Sequence, residues 1–109
     1  MSESVHDLRR ALVARLLTGP GTASTEARRA AFDLQPRDRR TDALLDRVRR
    51  EPWTVCDADV AAPLEAGLSE DQVFELVVCA AVGQATRQLE SALDTLDRAT
   101  REDGGTSCG

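Results

Sequence analysis

Lysine and tyrosine are missing altogether from this chain, and its aromatic side chains amount to one Trp and two Phe. A groove for single-stranded nucleic acid needs stacking platforms as well as positive charge, so that partner class is disfavoured at the outset. All 14 basic residues are Arg, and they are interleaved with 19 acids for a net charge of −5. No apolar run approaches the ~20 residues needed to cross a bilayer. The first residues, Met1-Ser2-Glu3-Ser4-Val5-His6-Asp7, are acidic where a secretory signal is basic and then apolar, so a cytoplasmic protein is expected. The three cysteines, Cys56, Cys79 and Cys108, contain no CxxC, and the single histidine, His6, lies far from them. Four close ligands of this kind are what a structural zinc site requires, so neither metal nor cofactor is expected.

What is present is a globular balance of 41% hydrophobic and 30% charged residues over 109 positions, the size of one domain. Periodicity makes it all-α, with about five helices and a long one at the C-terminal end. Val5, Leu8, Leu12, Val13, Leu16 and Leu17 recur at spacings of three and four, and Gly19-Pro20-Gly21 stops that helix. Ser24 or Thr25 caps a second, through Ala27, Ala30, Ala31 and Leu34, which halts before Pro36. Thr41 is placed to cap a third, carrying Leu44, Leu45 and Val48 up to Pro52. A fourth has Asp57 as its cap and Asp59 in its first turn, with Pro63 predicting a kink or a later start near Ala62. Gly67 then suits a left-handed C-cap, and Ser69 with Gln72 forms the S-x-x-Q capping box of the last helix.

That last helix reaches from Glu70 to about Arg101. Between Val73 and Val82 it is apolar nearly all round, which demands cover on every side and points to a homo-oligomer with this helix or the Trp53 segment at the interface. Gly83 inside it predicts close approach of a neighbouring helix. Residues 1–101 make the domain, and residues 102–109 have nothing to bury and are expected to be a mobile tail.

The stretch from Glu65 to Leu89, with Ala66-Gly67-Leu68-Ser69-Glu70-Asp71-Gln72 at its turn and Arg87-Gln88-Leu89 at its end, is similar to the C-terminal helical hairpin of the carboxymuconolactone decarboxylase and alkylhydroperoxidase D-like family. Leu17-Thr18-Gly19-Pro20-Gly21 and Arg28-Arg29-Ala30-Ala31 also resemble its short members. The resemblance implies a helical, oligomeric fold and, in active members, a CxxC pair followed by a His before the Gly-Leu-Ser turn. Those places fall here on Pro52, Val55 and Asp59. Cys56 lies one residue away, but it has Trp53 three before it and Val60 four after it, so no shift of register restores the partner thiol or the His. A peroxidatic thiolate needs activation and a resolving thiol, and Cys56 has no adjacent second thiol.

Three candidate catalytic residues remain. Cys56 is a thiol near a helix N-terminus, with Cys108 supplied by the tail as its candidate resolving partner. Glu75 interrupts the apolar run and must find a partner or be neutralised. Arg87, from another helix or another subunit, is the expected partner, in a structural ion pair or at the wall of a small-molecule pocket. Cys79, four residues after Glu75, reads more simply as a small buried hydrophobe. Trp53 reads as core or interface and His6 as idle. Two function classes follow: a helical protein that binds a small molecule or partner without classical peroxidase chemistry, or an enzyme, either a thiol-dependent peroxidase or a lactone- or acid-processing one.

Overall fold

The computed structural model describes residues 2–101, with side chains from residue 7 onward, so the expectations on His6, Cys108 and the tail lie outside the described residues. Five α-helices occur in it: α1 (Ser2–Thr18), α2 (Thr25–Phe32), α3 (Arg39–Arg50), α4 (Asp57–Glu65) and α5 (Glu70–Arg101). A single 3-10 turn, Pro52–Thr54, links α3 to α4, and no strand is found among the described residues. No described helix is long and apolar enough to cross a membrane.

Helix ends follow local chemistry. The Ser24 hydroxyl accepts from the Ala27 amide at 3.0 Å and so caps α2. Ser69 and Gln72 bond each other reciprocally, Gln72 N to Ser69 Oγ at 3.1 Å and Ser69 N to Gln72 Oε1 at 2.9 Å, completing the capping box of α5. At the other side of that turn Leu68 N donates to the Pro63 carbonyl and Gly67 N to the Leu64 carbonyl. This is the Schellman pattern, with Gly67 at φ +108°, where a side chain would strain the backbone.

Several boundaries differ from the sequence reading. Asp38, not Thr41, caps α3: its Oδ2 accepts from both the amide and the hydroxyl of Thr41, which leaves Thr41 inside the first turn and buried. Cys56, not Asp57, precedes α4, because the Asp59 carboxylate reaches back to the Cys56 amide at 3.0 Å. α4 runs unbroken through Pro63 with no late start. The proline removes only the donor to the Asp59 carbonyl, and its ring is among the most deeply buried groups in the fold. α2 stops at Phe32, and Leu34, at φ +67°, is half exposed instead of extending the apolar face.

The core is small-residue packing around one long axis. Leu17 of α1, Ala23, Ala31 of α2, Leu45 of α3 and Leu76, Cys79 and Ala80 of α5 form one buried cluster. α2 lies closest to α5, and at Gly83 the approach is so tight that an added Cβ would sit 2.3 Å from the Phe32 carbonyl oxygen. The expected reason for a mid-helix glycine is therefore the observed one. Much apolar surface stays outside the core: Leu8 and Leu12 on α1, Phe74, Leu89, Leu93 and Leu96 on α5, and Trp53, which is 79% exposed and belongs to no core.

Candidate functional site

Glu75 is the residue whose surroundings explain most. It lies on the first turns of α5, and its carboxylate faces the loop between α1 and α2. Thr22 donates to Oε2 from its amide at 2.9 Å and from its hydroxyl at 2.7 Å, while the Ala23 amide donates to Oε1 at 2.8 Å. Hydrogen bonds from these backbone amides, then from the Thr22 hydroxyl, hold the carboxyl below its ordinary pKa, with Arg28 adding a smaller attraction. The loop can come this close because Gly21 has no side chain: a Cβ there would meet Glu75 Oε1 at 2.8 Å. The carboxylate is thus a staple that fixes the entrance of α2 onto α5.

Arg87 is elsewhere. It sits twelve positions further along the same helix, roughly 18 Å by the helical rise, and donates to the Phe32 carbonyl and to Gln84 Oε1 at 3.3 Å. Arg49 of α3 donates to the neighbouring Ala31 carbonyl at 2.6 Å. Two guanidinium groups therefore close the C-terminal end of α2, where carbonyls lack helical partners and the dipole is negative. Desolvation, then repulsion from Arg87, lowers the Arg49 pKa from its usual value, and Asp46 and Asp42 oppose that. Arg28 does the same service for α1, donating to the Leu16 carbonyl at 3.0 Å from a buried position. The expected pairing of Glu75 with Arg87 inside the chain does not occur, since each is engaged with backbone groups of a different segment.

Cys56 is exposed at the N-cap of α4, and its Sγ lies 3.4 Å from Asp59 Oδ2 as a donor. The same carboxylate faces Arg47 at 3.6 Å. Asp59 is held below its ordinary pKa by the Cys56 amide first, then the Cys56 side chain, with Arg47 contributing less. Cys79 is completely buried, and that burial pushes its thiol pKa up, with Arg28 opposing and Glu75 adding to the rise. Cys56, Glu75 and Arg87 thus occupy three separate places, and no cluster of metal-ligating side chains forms among the described residues.

Two concavities bear on ligand binding. A cavity of about 90 Å³ lies among Ala30, Ala31, Leu45, Leu68 and Leu76, with Asp38, Thr41 and Asp42 at its rim. It is smaller than the ~150 Å³ that accommodates a benzene-sized guest. An open apolar groove of about 320 Å³ runs between α4 and α5, along Val60, Leu64, Val73, Phe74 and Val77, with Glu70 at its edge. None of the three candidate residues lines either one. The residues that sequence reasoning missed, Thr22, Arg28 and Arg49, act on or through backbone groups brought together by folding, and only the Gly21-Thr22 pair carries a local signal, a small residue permitting close approach. No family model, curated protein or solved structure matches the chain.

Proposed function

We propose that this chain is a helical assembly protein without peroxidase chemistry, similar to the carboxymuconolactone decarboxylase and alkylhydroperoxidase D-like family in its C-terminal hairpin, and that it acts by binding a protein partner, a second copy included. The observation that carries this reading is the employment of the polar candidates. Glu75 is saturated by the α1–α2 loop and Arg87 is spent on the end of α2, so neither is free to meet a substrate. A small-molecule role is less well supported than a partner, because the cavity beside Ala31 and Leu76 is small, whereas the groove between α4 and α5 is wider, open and lined almost wholly by apolar side chains. The reading places the protein in the cytoplasm, where thiols such as Cys56 and Cys79 stay reduced.

One observation favours the enzyme class: Cys56 is a solvent-exposed thiol, within reach of a small oxidant, at the N-cap of α4. Its thiol-dependent reduction of an organic hydroperoxide separates the two. Turnover indistinguishable from that of the Cys56→Ser variant is the expected result, and robust turnover lost in that variant would replace the assembly reading with a peroxidase.

A further inference from the structure

The long helix α5 has two faces with different fates. At ~100° per residue, its core-facing residues Val73, Leu76, Cys79, Ala80, Gly83 and Arg87 fall within one arc. Centred about 180° away, an arc of about 80° holds Phe74, Val78, Ala81, Ala85, Leu89 and Leu96. This second stripe is apolar from Phe74 to Leu96, a span of roughly 33 Å, and points away from the chain's own core. Phe74 is 68% exposed and Leu96 61% exposed. From Gln88 to Arg101 every residue is exposed, so the last turns of α5 are an amphipathic helix with no cover from the described chain, Glu90, Asp94, Asp97 and Arg101 lying opposite the leucines. A helix end of that length is marginal alone in water.

We infer that this stripe is the interface of a two-fold symmetric dimer in which α5 packs antiparallel on α5 of a second copy, crossing between Ala81 and Val82. The inference rests on the assembly reading above and names its partner. What selects a second copy over a foreign helix is that the stripe complements itself. An antiparallel pairing about that point sets Phe74 opposite the partner's Leu89 and Val78 opposite the partner's Ala85, with the small Ala81 side chains at the axis, where the helices approach closest. Residues 76–86 contain no charged side chain, so the symmetry brings no like charges together around the axis. The same register carries Leu96 over the α4–α5 turn of the other copy, beside the Phe74 edge of the groove between α4 and α5. The unpartnered end of the helix and the unfilled groove are covered by one operation.

The test is sedimentation of the full-length chain together with two charge variants, with circular dichroism confirming that helix content is retained. Wild type is expected to sediment as a dimer at micromolar concentration. Val78→Arg and Ala85→Glu each place charge in the interface at a position outside the buried core. Each alone is expected to weaken self-association by at least about 100-fold, and a one-to-one mixture of the two to recover dimer, since Arg and Glu face each other only in the antiparallel register. Dimers that persist in both single variants would overturn this interface while leaving the assembly reading intact. A mixture that stays monomeric would overturn the register, and a monomeric wild type at 100-fold higher concentration would overturn the dimer itself.

Discussion

Replacing Glu75 by Gln isolates the role of one carboxylate without changing its shape. The acid accepts three hydrogen bonds from Thr22 and Ala23, all between 2.7 and 2.9 Å. Bonds to a charged acceptor contribute about 1.5–3 kcal/mol each when sheltered, and less where water competes, as it does at this half-exposed site. Gln keeps one carbonyl oxygen but turns an NH2 group toward a donor, so part of the set survives and part becomes repulsive. The expected net loss is about 1–2 kcal/mol, or roughly 5–10 °C in Tm for a domain of this size.

The charge on Glu75 makes its contribution depend on pH. Glu75 has a folded-state pKa below its ordinary 4.5, so the folded protein binds this proton less readily than the unfolded chain. Its stabilisation is therefore fully present above 4.5 and is lost as pH falls through the folded-state value. Thermal melts of wild type and Glu75→Gln should differ by a constant gap from pH 8 down to about 5 and converge below that. An unchanged or raised midpoint at pH 7, or a gap that persists undiminished in acid, would refute the staple and return Glu75 to consideration as a ligand-binding group.

Other changes test other parts of the fold. Gly83→Ala adds about 1 kcal/mol of helix propensity yet drives a Cβ into the Phe32 carbonyl, so a net loss of about 1–3 kcal/mol is expected by chemical denaturation. Gly67→Ala meets no neighbour, and its expected cost of about 1–2 kcal/mol comes from the positive φ alone; a neutral melt would contradict the Schellman assignment. Ser69→Ala removes one half of the capping box of α5 and should cost about 1 kcal/mol. In a Cys108→Ser background, a thiol reagent should label Cys56 at once and Cys79 only on unfolding, because the first is exposed and the second sealed.

The parts of the fold legible in the sequence were those written in neighbouring residues. Gly67, Ser69 and Gln72 announce a helix end and a helix start through bonds spanning three to five positions, and each forms as read. Caps went astray where two acceptors compete within a few residues. Both Asp38 and Thr41 are good caps, and the longer reach of the Asp38 carboxylate to the Thr41 amide and hydroxyl decides between them. Pro63 misled for a related reason, since the rule counts the lost donor but not the burial of the ring that offsets it.

The candidate site was legible only as a tension. A carboxylate inside an apolar run has to be answered, but periodicity cannot say by what, because Thr22 and Ala23 lie more than fifty positions away in sequence. The expected answer is a cation, and the observed one is a pair of amides in the loop leading into α2, which hold an anion by hydrogen bonds without supplying a counter-charge. The same distinction applies to the apolar run itself. Hydrophobicity all round a helix says that every face needs cover and is silent on who provides it. Here α2 and α3 supply that cover for the side bearing Leu76, Cys79 and Gly83, whereas the side bearing Phe74, Ala81 and Leu96 is left bare. A helix that owed its apolar character to its own core alone would have no reason to keep the second stripe over six turns, and it is this excess over what folding requires that makes the outer face of α5 the place to look for a partner.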